Sequence, residues 1–139
     1  MAAVEDKLRL DLERLRRGKS RIAASSAAER LQWVRACADG VADVSREWAE
    51  AACAAKGIAI GSPQRAEEIL AGPVATLRFL RLLEHTLDGI AKTGTPRLPG
   101  PPSSGSDGRL RVPIMPTGCL YDSIVFFPYR VTAWMNAGI

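Results

Sequence analysis

Few residues of this 139-residue chain are equipped for chemistry. Three cysteines, Cys37, Cys53 and Cys119, and one histidine, His85, are the side chains suited to nucleophilic attack, proton transfer or soft-metal binding near neutral pH. The cysteines lie far apart, are odd in number and lack C-x-x-C spacing, so they predict no zinc-type cluster. Free thiols in a reducing compartment are the simplest reading. Cys119 follows Gly118, which would leave access to it. It has no histidine or basic neighbour in sequence, and activating a thiolate takes such a neighbour or a helix N-terminus. It reads as a loop-packing residue. His85 has no partner for acid–base work and reads as a surface or partly buried helix residue. The adjacent Tyr121 and Asp122 read as a capping aspartate beside a half-buried tyrosine.

The elements that would position these residues are mostly helical. Val4, Leu8, Leu12 and Leu15 recur at helical spacing with charges between them, a narrow amphipathic stripe over residues 1–24. Gly18 is expected to stop this helix. It reads as a peripheral helix, with an arm docking on another subunit as the alternative, because so short a helix is marginal without packing. Residues 25–93 form a second helical segment. Ser26-Ala27-Ala28-Glu29 is a capping-box pattern. Leu31, Val34, Ala38, Val41, Trp48 and Ala52 continue one apolar stripe behind it, and either Gly40 or Ser45 is a candidate break. Lys56-Gly57 is an end signal. Ser62-Pro63 opens the next helix, and Gly72-Pro73 should interrupt it. Val74, Leu77, Leu80, Leu83, Leu87 and Ile90 then make a strong apolar face, with His85 beside it.

From Gly94 the composition changes. Residues 94–108 are rich in Pro, Gly and Ser and read as a surface loop or linker. Their glycines do not follow the G-x-G-x-x-G phosphate-binding pattern. Residues 109–115 begin as an alternating strand, and Pro113 confines that strand to an edge or a bulge. Residues 120–127 and 129–135 are the most aromatic, and Trp134 reads as core packing. The chain ends at Ile139 directly after this apolar run, so more protein is expected beyond it.

Composition narrows the function classes. The net charge of +4 is mildly basic. The basic residues of the first segment are interleaved with Glu5, Asp6, Asp11 and Glu13, and no aromatic stands among them to stack on bases. A solvated helix face is therefore expected in preference to a nucleic-acid arm. The start of the chain lacks a signal-peptide pattern, and no stretch approaches the ~20 apolar residues of a membrane span. The cytoplasm is the expected location, with neither membrane nor nucleic acid as a partner.

Residues 114–139, IMPTGCLYDSIVFFPYRVTAWMNAGI, resemble a stretch in a bacterial branch of the aldehyde dehydrogenase superfamily. The matching residues are Pro116, Tyr121, Asp122, Phe126, Trp134, Met135 and Gly138. Upstream, residues 30–57 are similar to the opening helices of the superfamily, and Ala66-Glu67-Glu68-Ile69 to the helix that follows. The resemblance spans most of the chain from about Ser26 onward. It implies a mainly α N-terminal segment followed by short β-strands, with residues 109–139 as the start of an incomplete α/β domain. It also implies that the full-length relative is an NAD- or NADP-dependent oxidoreductase of a small aldehyde, in which a cysteine thiolate attacks the carbonyl and hydride passes to the nicotinamide. In the family the nucleophile, the glutamate base and the cofactor strands come after the region this chain covers. By that resemblance the chain holds no catalytic, cofactor-binding or metal residue of its own. Its partner is then the remainder of the enzyme or a second subunit.

Pro116, Thr117, Gly118, Tyr121 and Asp122 are, by the same resemblance, candidates for lining the substrate passage. One departure stands out. Many family members carry Pro-x-Asn after this strand, and the Asn donates to the oxyanion. Here the counterpart is Pro116-Thr117-Gly118, with glycine in the Asn position. Losing such a donor typically costs ~100- to 1000-fold in rate. Thr117 is a possible substitute donor. Two rival readings remain: a stand-alone helical interaction module, which calls for one compact unit, and a regulatory subunit that binds a larger partner through its exposed aromatic tail.

Overall fold

The computed structural model describes residues 2–118 and 120–136. Cys119, Gly138 and Ile139 lie outside the described residues, as does the side chain of Val4. The fold is mainly helical with a small three-stranded antiparallel sheet. The chain divides into two compact units, Met1–Thr95 and Pro96–Ile139.

The first unit begins with helix α1, Ala2–Ala24. It runs straight through Gly18, contrary to the expected stop there. An interior glycine costs only ~1 kcal/mol relative to alanine and does not by itself end a helix. The end comes where the last carbonyls find other donors. The Ser25 hydroxyl donates to Ile22 O at 2.7 Å, and the Arg30 guanidinium reaches back to Ile22 O at 3.0 Å. Helix α2, Ala27–Lys56, starts with the expected capping box. The Glu29 N–H donates to the Ser26 hydroxyl at 3.2 Å, and the Ser26 N–H donates to the Glu29 carboxylate at 2.8 Å. α2 is unbroken at Gly40 and Ser45, where a break had been a candidate. It stops as expected at Gly57, whose left-handed φ of 67° no β-carbon opposes. Ile58 N–H then donates to Cys53 O at 2.9 Å, which closes the helix end.

The return segment is one continuous helical rod over residues 65–93. It is built from α3, Arg65–Ile69, a wide turn, Leu70–Val74, and α4, Ala75–Thr93. Ser62 leads into it, with its hydroxyl accepting from the Gln64 N–H at 3.4 Å. Gly72-Pro73 does not interrupt the rod. Pro73 has no N–H to give, and its ring would crowd the carbonyl four residues back. The backbone widens into a single π turn, with Ala75 N–H bonding to Leu70 O, and the helix continues.

α2 and the rod pack antiparallel. Arg35 pairs with Glu84 at 2.7 Å near one end, and Lys56 with Glu68 at 2.7 Å near the other. The expected faces meet here. Leu31, Ala49, Cys53 and Leu87 are the buried apolar residues, with Val74, Leu77, Leu80, Leu83 and Ile90 half-buried beside them. Trp48 stays exposed on one side and lies along Gly72, where an added β-carbon would sit 3.6 Å from the indole. The core is thin because alanine fills much of the contact and buries little area per residue.

The second unit is a sheet in the order β1-β2-β3 with one short helix. Its strands are β1, Ser103–Ser104, β2, Leu110–Met115, and β3, Val131–Met135. Helix α5, Leu120–Val125, connects β2 to β3. The Pro/Gly/Ser stretch of residues 94–108 is therefore more than a linker. It carries β1, and a tight hairpin returns the chain to β2, with the Gly105 N–H donating to Arg109 O at 2.8 Å. β2 is the central strand, so Pro113 is not at an edge. The other expectation holds: the pairing register slips between Pro113 and Met115, and this irregularity accommodates the missing N–H. Trp134 is not core. It is 52% exposed and lies under the guanidinium of its cross-strand partner Arg111, 4.3 Å from the ring centre.

Candidate functional site

The candidate site is the turn between β2 and α5. The strand delivers Pro116 after a cis Met115–Pro116 bond, and both residues are half-buried. Gly118 follows at φ 82°, a left-handed conformation that an asparagine adopts less readily than a glycine. Glycine at this position meets that backbone demand. α5 then carries Tyr121 and Asp122 in its first turn.

Asp122 is the most buried side chain among the described residues, at 1% exposure. Its carboxylate accepts from the Thr117 N–H at 3.2 Å and from the Thr117 hydroxyl at 2.5 Å. This is more than the helix cap expected from sequence. The carboxylate reaches back five residues and ties Thr117 to the helix. Charge-assisted bonds of this kind are roughly twice as strong as neutral ones. Tyr121 stands on the outside at 43% exposure, not half-buried beside the aspartate.

Four of the five sequence candidates, Pro116, Thr117, Gly118 and Asp122, are thus gathered into one turn, and Tyr121 projects from its edge. Both donors of Thr117 point at Asp122. A developing oxyanion that used Thr117 would compete with that carboxylate for its hydrogen bonds. The sequence signal for the tie is a Thr and an Asp five apart across a glycine turn, which sequence reasoning passed over.

His85 is exposed on α4. Cys37 is an exposed free thiol and Cys53 a buried one, both on α2. Among the described residues, no group of three His, Cys, Asp or Glu side chains is placed to hold a metal ion. No helix among them is long and apolar enough to cross a membrane.

The chain matches no family model, no curated protein and no solved structure. The turn must therefore be read from its own geometry.

Pyrophosphate binding needs a Gly-rich turn that leads from a parallel strand into a helix N-terminus. The sheet here is antiparallel throughout, and the glycines lack the spacing. Among the described residues that Gly-rich arrangement is not found.

Proposed function

We propose that this chain is the N-terminal part of an NAD(P)-dependent aldehyde dehydrogenase-like oxidoreductase of the cytoplasm. In this reading it has no turnover by itself. The observation that supports the reading is the turn of residues 116–122. A strand ends in proline, a glycine turn follows, and a short helix opens with Tyr121-Asp122, whose buried carboxylate fixes the turn. Such a turn, held rigid from behind, suits a wall of a substrate passage, because a passage loses selectivity when its lining moves. The nucleophile, the base and the dinucleotide site would come from further polypeptide. The apolar surface of the second unit is consistent with such a covering. Leu120, Phe127 and Tyr129 are each more than 70% exposed.

The test is the coding sequence beyond Ile139, followed by expression of the longer product. An open frame that encodes a cysteine in a Gly-rich loop supports the reading. Aldehyde-dependent reduction of NAD or NADP by the longer product, absent from the 139-residue chain, would complete it. A stop codon at once after Ile139 defeats it. The same exposed aromatics favour one second reading, a regulatory subunit that docks on a separate dehydrogenase. It gains ground only on that stop-codon outcome.

A further inference from the structure

α1 stands apart within its unit. Among the described residues it packs closely along no other element there, although α2 and the rod of residues 65–93 do. Its contacts with α2 are local to the junction. They include the Arg30 bonds and the Arg21 guanidinium 5.8 Å from the Trp33 ring centre. Its large apolar side chains face solvent, with Leu15 70% and Ile22 60% exposed.

We propose that α1 pairs with α1 of a second copy of this chain as a parallel two-stranded coiled coil. Leu8, Leu15 and Ile22 recur every seven residues, and Leu12 and Lys19 fall between them at the alternating four-and-three spacing of a heptad seam. At 100° per residue Leu8, Leu12, Leu15 and Ile22 span only about 80° of the helix surface, with Leu10 alone on the opposite side. That suits a two-helix seam better than the wider stripe of a helix against a globular core. It also suits lipid poorly, since no aromatic residue lies on α1, the carboxylate of Glu5 stands in the seam seven residues before Leu12, and that of Asp11 borders it.

Charge selects the occupant and its direction. With Leu8, Leu15 and Ile22 as one core position and Leu12 and Lys19 as the other, Asp11 and Arg16 take the two flanking positions. In a parallel pair, Asp11 of each copy lies opposite Arg16 of the other, which gives two symmetric attractions. An antiparallel pair would set the Arg9 and Arg16 flank of one copy against the same flank of the other. Lys19 in the seam weakens the pair and fixes its register, as a polar core residue does in a coiled coil. A short seam with one lysine gives a dissociation constant on the order of 10–100 μM. The proposal does not rest on the dehydrogenase reading.

The test is sedimentation equilibrium of the full chain from about 5 to about 300 μM. Reversible dimerisation is expected. Leu15→Glu should weaken it at least ~50-fold, and Lys19→Leu should tighten it about 10-fold, a gain that misfolding cannot imitate. Asp11→Arg should weaken it about 5-fold, and adding Arg16→Asp should restore it. The double variant Phe127→Ser, Tyr129→Ser should leave it unchanged. A chain that is monomeric throughout overturns the proposal. So does a dimer abolished by the Phe127/Tyr129 variant instead of Leu15→Glu, or a charge swap that fails to restore pairing. Binding of the monomer to anionic phosphatidylserine vesicles without self-association would overturn it as well.

Discussion

In the helical unit the residues most removed from water are Leu31, Ala49, Cys53 and Leu87, all able to pack without a hydrogen-bond partner at the side chain. In the strand unit the most buried side chain is a carboxylate, Asp122. The first unit is held by apolar contact along two long antiparallel helices, and the loss of one contact is shared among its neighbours. The second is held by ladder hydrogen bonds and by polar ties such as that between Asp122 and Thr117, and the loss of that tie falls on a single turn. A helix pair tolerates exchange of one apolar residue for another of similar size. A buried carboxylate with two dedicated donors tolerates much less. The candidate site lies where the structure is less tolerant.

Variants that strike one unit and spare the other can break this contrast. The largest effect should come from Leu87→Ala, expected to cost about 2–4 kcal/mol in the helical unit. Residue-resolved hydrogen exchange should show faster exchange along α2 and α4 with β2 and β3 unchanged. Asp122→Ala should cost about 1–3 kcal/mol, confined to the strand unit, because it leaves the Thr117 donors without their acceptor. The Thr117 amide should lose its protection first, and loss spread evenly through α2 would refute the division.

A smaller effect is expected at the start of α2. Ser26→Ala should lower the stability of that helix by about 1 kcal/mol in a urea titration at neutral pH. The Ser26 backbone N–H, and then its hydroxyl, hold the Glu29 carboxyl below its ordinary pKa. The stability this pair lends is complete above the unfolded pKa of the glutamate. It is lost as pH falls through the lower folded value. A carboxylate titration followed by NMR should place Glu29 below the ordinary carboxylate range, and Ser26→Ala should raise it only in part, because the backbone N–H of residue 26 still donates. The smallest effect is a gain. Gly40→Ala meets no atom within 4 Å and should stabilise α2 by about 0.5–1 kcal/mol. The same change at Gly57, with its left-handed backbone, should do the opposite.

What could be read from the sequence was what neighbouring residues decide between themselves. The Ser26–Glu29 box, the Gly57 stop and the apolar faces of α2 and α4 are of this kind. The expected stop at Gly18 and the candidate breaks at Gly40 and Ser45 did not occur, and the expected interruption at Gly72-Pro73 took the form of a π turn that does not end the helix. Each breaker carries a local penalty of one to a few kcal/mol, and a long helix with satisfied ends or a packed face outweighs it. Strand β1 was hidden for the opposite reason. Ser103 and Ser104 have little strand preference, and only the hairpin closed by Gly105 and Arg109 pairs them with β2. At the candidate site, residue types alone marked Tyr121 and Asp122. They left open that Asp122 turns inward to Thr117 while Tyr121 remains outside, because that division depends on the path of the turn.

The wide turn at Leu70–Val74 acts as a phase adjuster for the rod that contains it. One residue more than a plain helical turn shifts everything after it by about 100° around the axis. Glu68 on one side of the turn and Glu84 on the other both reach α2, through Lys56 and Arg35. A shortened turn would satisfy one of these pairs and swing the other away. Removal of the single residue Ala71 should therefore do more harm than many substitutions, although Ala71 itself is exposed and touches little. The rod behaves like two gears on one shaft, keyed at an offset, and the key is the place where a proline was expected to break it.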